Sequence, residues 1–233
     1  MNKRPRFSVA LSQNLSMKKT VGILMADLSG YTAMTEIHGD NAAVEVVEKY
    51  IGMGQSSLAG KSYLLERTGD QLLIVSEDAD DLAKTAIELK YKTEKEPNFL
   101  GIHCGLHFGS VIERNHHLFG AVVNMAARIA GIATENKIFC SVEFVEALKC
   151  PEKIQLISQG NINFKNVLES AEIFEVLPAI EKKKREIYID PVCHIRLSAD
   201  EIHISLLDGE DEYFFCSEEC KKIFQEHNIG VMT

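Results

Sequence analysis

The chain has 233 residues, 45% of them hydrophobic and 25% charged, with a formal net charge of −9. This is an ordinary globular composition with room for one full domain and a small second one, and no apolar stretch reaches the roughly 20 residues that a bilayer-spanning helix needs. The charge is uneven: residues 188–233 hold 10 Asp and Glu against 3 Lys and Arg, so the remainder is nearly neutral and offers no basic footprint for nucleic acid.

Residues 1–19 carry basic side chains without a continuous apolar core. They read as a tail rather than a cleaved leader, which points to a cytoplasmic protein. Val21, Ile23, Leu24 and Met25 then form a short apolar run that predicts a buried strand, ending at Asp27 and a turn through Ser29-Gly30. Residues 40–58 are amphipathic, with Ala43, Val46, Val47, Tyr50 and Ile51 on one stripe. Strands are expected over 62–67 and 71–76, joined by Thr68-Gly69-Asp70, and a helix over 78–94 with acids in its first turn. Residues 99–108 and 110–113 read as two strands broken by glycine, and 118–132 as an Ala-rich helix. A strand at 137–140, a helix capped by Ser141, and strands at 153–158 and 172–177 complete the expected domain. Pro178 and the charge run at 181–186 mark a linker. The order is roughly βαββαβ with additions. It predicts an α+β, ferredoxin-like domain over 20–178, with helices on one face of a mainly antiparallel sheet. A linker at 179–187 and a small Cys-containing module at 188–233 follow.

Two carboxylates stand out. Asp27 ends a strand and Asp70 sits at a hairpin tip that can lie beside it; together such acids can bridge divalent cations and stabilise an attacking and a leaving oxygen. Taken singly, Asp27 can equally be a helix cap and Asp70 an ordinary turn residue. Asn124 and Arg128 are four apart and share a helix face among alanines, leaving room for a ligand, and the planar fork of Arg suits phosphoryl oxygens. His103 and His107 alternate along a strand and, with His116 in a loop, read as packing or surface residues.

In succession these segments resemble the class III adenylate and guanylate (nucleotidyl) cyclases. The resemblance runs from about residue 20 to 177. It rests on Ala26-Asp27-Leu28-Ser29-Gly30-Tyr31-Thr32, Thr68-Gly69-Asp70, Gly101 to Gly105, Phe119-Gly120 with Asn124 and Arg128, and Asn163-Phe164-Lys165. It implies that Asp27 and Asp70, helped by the Leu28 carbonyl, hold two Mg²⁺ or Mn²⁺ ions per active site, and that the backbone of Ser29, Gly30, Tyr31 and Thr32 holds the terminal phosphates. Asn124 would orient the ribose, while Arg128 and Lys165 would neutralise charge at the α-phosphate. It further implies a head-to-tail homodimer with two composite sites that converts a nucleoside triphosphate into its 3′,5′-cyclic monophosphate. The competing reading is a catalytically weak or inactive nucleotide-binding or metal-sensing signalling module.

The base-recognition positions depart from the adenylate pattern. Adenylate cyclases commonly carry Lys and Asp where this chain has Glu66 and His117. A Glu only accepts hydrogen bonds, so it suits N1–H and the exocyclic amine of guanine, while a His117 N–H can donate to guanine O6. Donor and acceptor logic therefore favours GTP over ATP.

The acidic end, Asp190-Pro191-Val192-Cys193 followed by Tyr213 to Cys216 and Cys220, resembles a YHS domain, a small metal-associated module. Ser217 is expected to cap a helix that carries Cys220 in its first turn. Cys193, Cys216 and Cys220 are soft ligands suited to Zn²⁺ or Cu⁺, with His194, His227 or an acid as the fourth. The remaining cysteines, Cys104, Cys140 and Cys150, show no ligand spacing.

Overall fold

A computed structural model of the chain describes residues 17–114, 117–179, 187–199 and 202–229. Residues 1–16 of the expected N-terminal tail, most of the expected linker and His116 lie outside the described residues, while 17–19 belong to the first strand rather than to a tail. Strand β1 (Met17–Leu28) runs through the middle of an eight-stranded sheet, paired with β3 (Gln71–Ser76) on one side and β4 (Ile102–Arg114) on the other. The path across the sheet is β2 (Tyr63–Thr68), β3, β1, β4, β6 (Ile138–Ser141), β8 (Ala171–Pro178) and β7 (Ile154–Ile162). A short β5 (His117–Phe119) folds back on β4. Every pairing is antiparallel except β4 with β6. The mainly antiparallel α+β architecture is thus as expected.

The helices occupy both faces, not one. Leu24, Ala26 and Leu28 of β1 pack into a core with α1 (Tyr31–Ser57) and α2 (Ala79–Lys95), whereas Val21, Ile23 and Met25 face α3 (Ala121–Ile132). Successive strand residues point to opposite faces, so a strand between two helical layers must be apolar at nearly every position. That is why β1 reads as a continuous run. The single layer was a misreading: periodicity reports whether a helix face is buried, not which side of the sheet buries it.

Three boundaries also move. Helix α1 begins at Tyr31 rather than at 40, because a short first segment precedes a non-helical Gly39 at φ 79°. Strand β4 is continuous through Gly105 and Gly109. These glycines are close-approach positions, not breaks. A Cβ at Gly105 would stand 2.2 Å from the Ala130 backbone N and 2.3 Å from the Ala126 carbonyl O, so α3 can lie this near the sheet only over glycine. Helix α3 itself starts at Ala121, after β5 and Gly120.

The C-terminal residues form two hairpins, β9 (Ile187–Ile189) with β10 (Arg196–Ser198) and β11 (Ile204–Asp208) with β12 (Asp211–Phe215), followed by α5 (Glu218–Ile229). Their small core gathers Cys193, Phe215 and Cys220, and Ile37 of α1 packs against it. The buried guanidinium of Arg196 docks this part on the sheet domain. It donates to the carbonyls of Thr93 and Phe99 and to Asn136 Oδ1, while the Arg196 backbone N–H donates to the Phe99 carbonyl at 3.1 Å. Among the described residues no helix is long and apolar enough to cross a membrane.

Candidate active site

Asp27 and Asp70 converge at the end of β1. Ala26 lies opposite Leu72, and continuing that register toward the β2–β3 turn puts Asp70 level with Leu28. The Leu28 backbone N–H lies close to both carboxyls and favours their charged forms. Burial works the other way. It raises the Asp27 carboxyl, and burial together with the negative charge of Asp27 pushes Asp70 up to about 6. Asp27 Oδ1 is buried with no hydrogen-bond partner among the described residues. Two crowded, partly desolvated acids with an orphaned oxygen form a donor set that a hard divalent cation satisfies. Asp27 is not a helix cap: the N-cap of α1 is Gly30, in the left-handed region at φ 81°.

Of the expected phosphate-holding stretch, Ser29 is partly committed to the fold, since its N–H donates to the Gly101 carbonyl at 2.8 Å. Its hydroxyl meets His103 Nδ1 at 3.1 Å. Tyr31 and Thr32 open α1, where no side chain caps the helix, so the first-turn N–H groups keep no intrahelical acceptor. Such an end attracts anions.

Two residues of this site were not foreseen. His103 stands directly opposite Asp27 in the β1–β4 register, with Nε2 3.8 Å from Asp27 Oδ2. Burial lowers its pKa, so the ring is neutral at pH 7 and can bond Ser29 without adding charge. Tyr50 of α1 is fully buried, its hydroxyl also lacks a partner among the described residues, and burial and then the charges of Cys104, Asp27 and Asp70 raise its phenol well above the ordinary value. Cross-strand register alone brings His103 to Asp27, and nothing local marked Tyr50 as a neighbour of the acids. His107, by contrast, is buried against Ser141 at 2.7 Å, as a packing histidine should be.

The other expected site residues do not join the acids within one chain. Val122, Ala126, Ile129 and Ala130 form the buried face of α3, and Asn124 and Arg128 fall on the opposite face, away from the sheet. Lys165 is exposed in the turn between β7 and β8. Glu66 is exposed on β2, next to a register shift after Leu64, and His117 is exposed on β5, edge-on to Phe119.

A second cluster lies nearby. Cys193 Sγ and Cys216 Sγ are 3.5 Å apart, Cys216 Sγ is 3.6 Å from Cys220 Sγ and 3.6 Å from His38 Nε2, and all four atoms lie within 4.8 Å of one another. The three expected cysteines are together, but the fourth group is His38 of α1. His227 is exposed and bonds the Ile223 carbonyl within its own helix, and His194 is exposed outside the cluster. The Cys193 hydrogen bond lowers the Cys216 thiol to about 7, whereas burial pushes Cys220 up to about 12. Ser217 caps α5 as expected, its Oγ accepting from Cys220 N at 3.2 Å. Asp190 braces both cysteine turns: Oδ1 accepts from Val192 N and Cys193 N, and Oδ2 from Cys216 N.

Comparison with known proteins agrees with this fold. The family described as "Adenylate and Guanylate cyclase catalytic domain" matches residues 14–177. An adenylate cyclase of Streptomyces coelicolor is 28% identical over 131 residues, 56% of this chain and 34% of that protein. A pH-sensitive adenylate cyclase of Mycobacterium tuberculosis is 24% identical over 139 residues, 60% of this chain and 35% of that protein. The chain thus spans about a third of the length of these relatives. Among solved structures, the guanylyl cyclase Cya2 superposes with a TM-score of 0.63 at 20% identity, over 71% of this chain and 99% of Cya2. The adenylyl cyclase CyaB from P. aeruginosa gives 0.61 at 15%, over 72% and 97%. At these identities the structural matches speak for the fold. With the family match spanning well over half of its residues, the chain belongs to the adenylate and guanylate cyclase catalytic domain family.

Proposed function

We propose that the protein is a nucleotidyl cyclase that converts a nucleoside triphosphate, GTP in preference to ATP, into its 3′,5′-cyclic monophosphate and pyrophosphate. The observation that carries this reading is the meeting of Asp27 and Asp70 beside an uncapped helix start, with Asn124 and Arg128 turned away from them. Two acids cannot complete such a site alone. A second copy, docked head to tail, brings its outward-facing α3 across the groove and gives two composite sites per homodimer.

Asp27, Asp70 and the Leu28 carbonyl would hold Mg²⁺ or Mn²⁺, two ions per site, as the orphaned Asp27 oxygen and the raised carboxyls favour. Bound there, such cations would supply a lowered pKa at the ribose 3′-hydroxyl and positive charge against the polyphosphate. The amides at the start of α1 hold the terminal phosphates, with Gly30 letting the chain turn there. Asn124 fixes the ribose. Arg128 and Lys165 face the α-phosphate, where the 3′-oxygen forms a bond to phosphorus as the bond to pyrophosphate breaks in line. Their cations match charge that grows in the transition state, so they act mainly on kcat. A cytoplasmic location, where these triphosphates are abundant, goes with this chemistry.

The base preference is tested by exchanging Glu66→Lys and His117→Asp together. The unaltered protein is expected to form more cyclic GMP than cyclic AMP from equal substrates. The double variant should move that ratio toward cyclic AMP by at least about tenfold, because a base whose donors and acceptors meet the wrong partners is rejected. An unchanged ratio would remove Glu66 and His117 from the base pocket.

A further inference from the structure

We propose that His38 completes the three cysteines into a closed Cys₃His zinc site, and that the ion staples the C-terminal hairpins to the helix segment that begins at the phosphate loop. Three of the six ligand separations match a tetrahedral site, and all four atoms lie within 4.8 Å of one another. With Zn–S arms of about 2.3 Å and a Zn–N arm of about 2.0 Å, ligand atoms stand roughly 3.5–3.8 Å apart. Cys216 Sγ stands 3.5 Å from Cys193 Sγ, 3.6 Å from Cys220 Sγ and 3.6 Å from His38 Nε2, and at these distances Cys216 forms no disulfide with either thiol. Three thiolates and an imidazole with no place for a water make a structural rather than catalytic zinc set.

The consequence lies in where His38 sits. It ends the first segment of α1, just before the Gly39 kink, and that segment starts at Tyr31 beside Gly30. Eight helical residues form one stiff lever of about 12 Å, with the phosphate loop at one end and the metal ligand at the other. A second path closes the ring. His194 follows Cys193 at a positive φ of 61°, and its Cβ lies only 2.3 Å from where a Cβ on Gly30 would stand. The ion therefore fixes the loop from both sides, through His38 and through Cys193–His194. Arg196, two residues beyond His194, docks the module on the sheet domain by its own hydrogen bonds, which involve none of the four metal ligands. The link to phosphate binding rests on the nucleotide reading above; the metal site does not.

The test uses the full chain with zinc alone and needs no turnover. One zinc per chain is expected, and cobalt in its place should give the absorption of a tetrahedral thiolate site. Zinc loading of the unaltered chain should shift the His38 ring resonances and slow amide hydrogen exchange over residues 29–38. His38→Ala should weaken zinc binding by at least about tenfold, since even outer-shell partners of ligands cost that much. It should also leave exchange over 29–38 as fast as in the chelated wild type, while His227→Ala changes neither. Unmoved His38 resonances, unchanged zinc affinity in His38→Ala, or loop exchange indifferent to zinc would each overturn the proposal. A chain that passes these tests but makes no cyclic nucleotide would refute the cyclase reading and leave the staple standing.

Discussion

Asp27→Ala and Arg128→Ala chains, each inactive alone, should regain activity when mixed. Asp27 supplies the metal edge and Arg128 the transition-state edge, so each substitution spoils both sites of its own homodimer. Losing a preorganised charge at a reacting phosphorus costs about 10²–10³-fold in rate, and losing a cation ligand at least as much. In a heterodimer both lesions fall in one site, and the other is built entirely from intact edges. Random exchange makes about half of the dimers mixed, each with one good site, so about a quarter of wild-type activity should return. The orientation of α3 is why we expect rescue: its buried face is spent on the sheet, leaving Asn124 and Arg128 pointing outward. A site built within one chain gives no recovery at any mixing ratio.

Asp190→Ala should unfold the C-terminal hairpins while sparing the sheet domain. The Asp190 side chain is fully buried and accepts from Val192 N at 2.8 Å, Cys193 N at 3.2 Å and Cys216 N at 2.8 Å. Alanine strands three N–H donors and unties the two cysteine turns, a loss of about 3 kcal/mol or more against a very small core. Proteolysis or hydrogen exchange over residues 187–229 reads this directly. The pH dependence has a definite sign. Burial alone would raise the carboxyl, but the three N–H donors outweigh it and hold it below its ordinary value. A depressed folded-state pKa means that the stabilisation is present at neutral pH and is lost only as acid takes the pH below about 4. Loosening of the hairpins between pH 8 and 5 would therefore need another group.

What the sequence disclosed was local burial and ordered motifs. The apolar run of β1, the hairpin carrying Asp70 and the acidic start of α2 are written in consecutive residues, and they emerge where expected. What it hid was non-local. His103 joins Asp27 only through cross-strand register, and Tyr50 reaches the acids only because α1 packs beneath them. His38 meets cysteines more than 150 residues away, so no spacing rule finds it. Gly105 and Gly109 read as strand breaks because a lone sequence does not reveal that α3 presses on them, with its backbone at Gly105 and with the Val122 side chain at Gly109. The first segment of α1 escaped notice because it is short and ends at Gly39.

The most direct measurement of the central claim is product formation by the purified 233-residue chain supplied with Mn²⁺ and α-labelled GTP, with an Asp70→Asn chain beside it. The account predicts cyclic GMP and pyrophosphate in equal amounts, a smaller yield of cyclic AMP from ATP, and neither product from the Asp70 variant. Nucleotide bound by a dimeric protein without any cyclic product from GTP or ATP would contradict it.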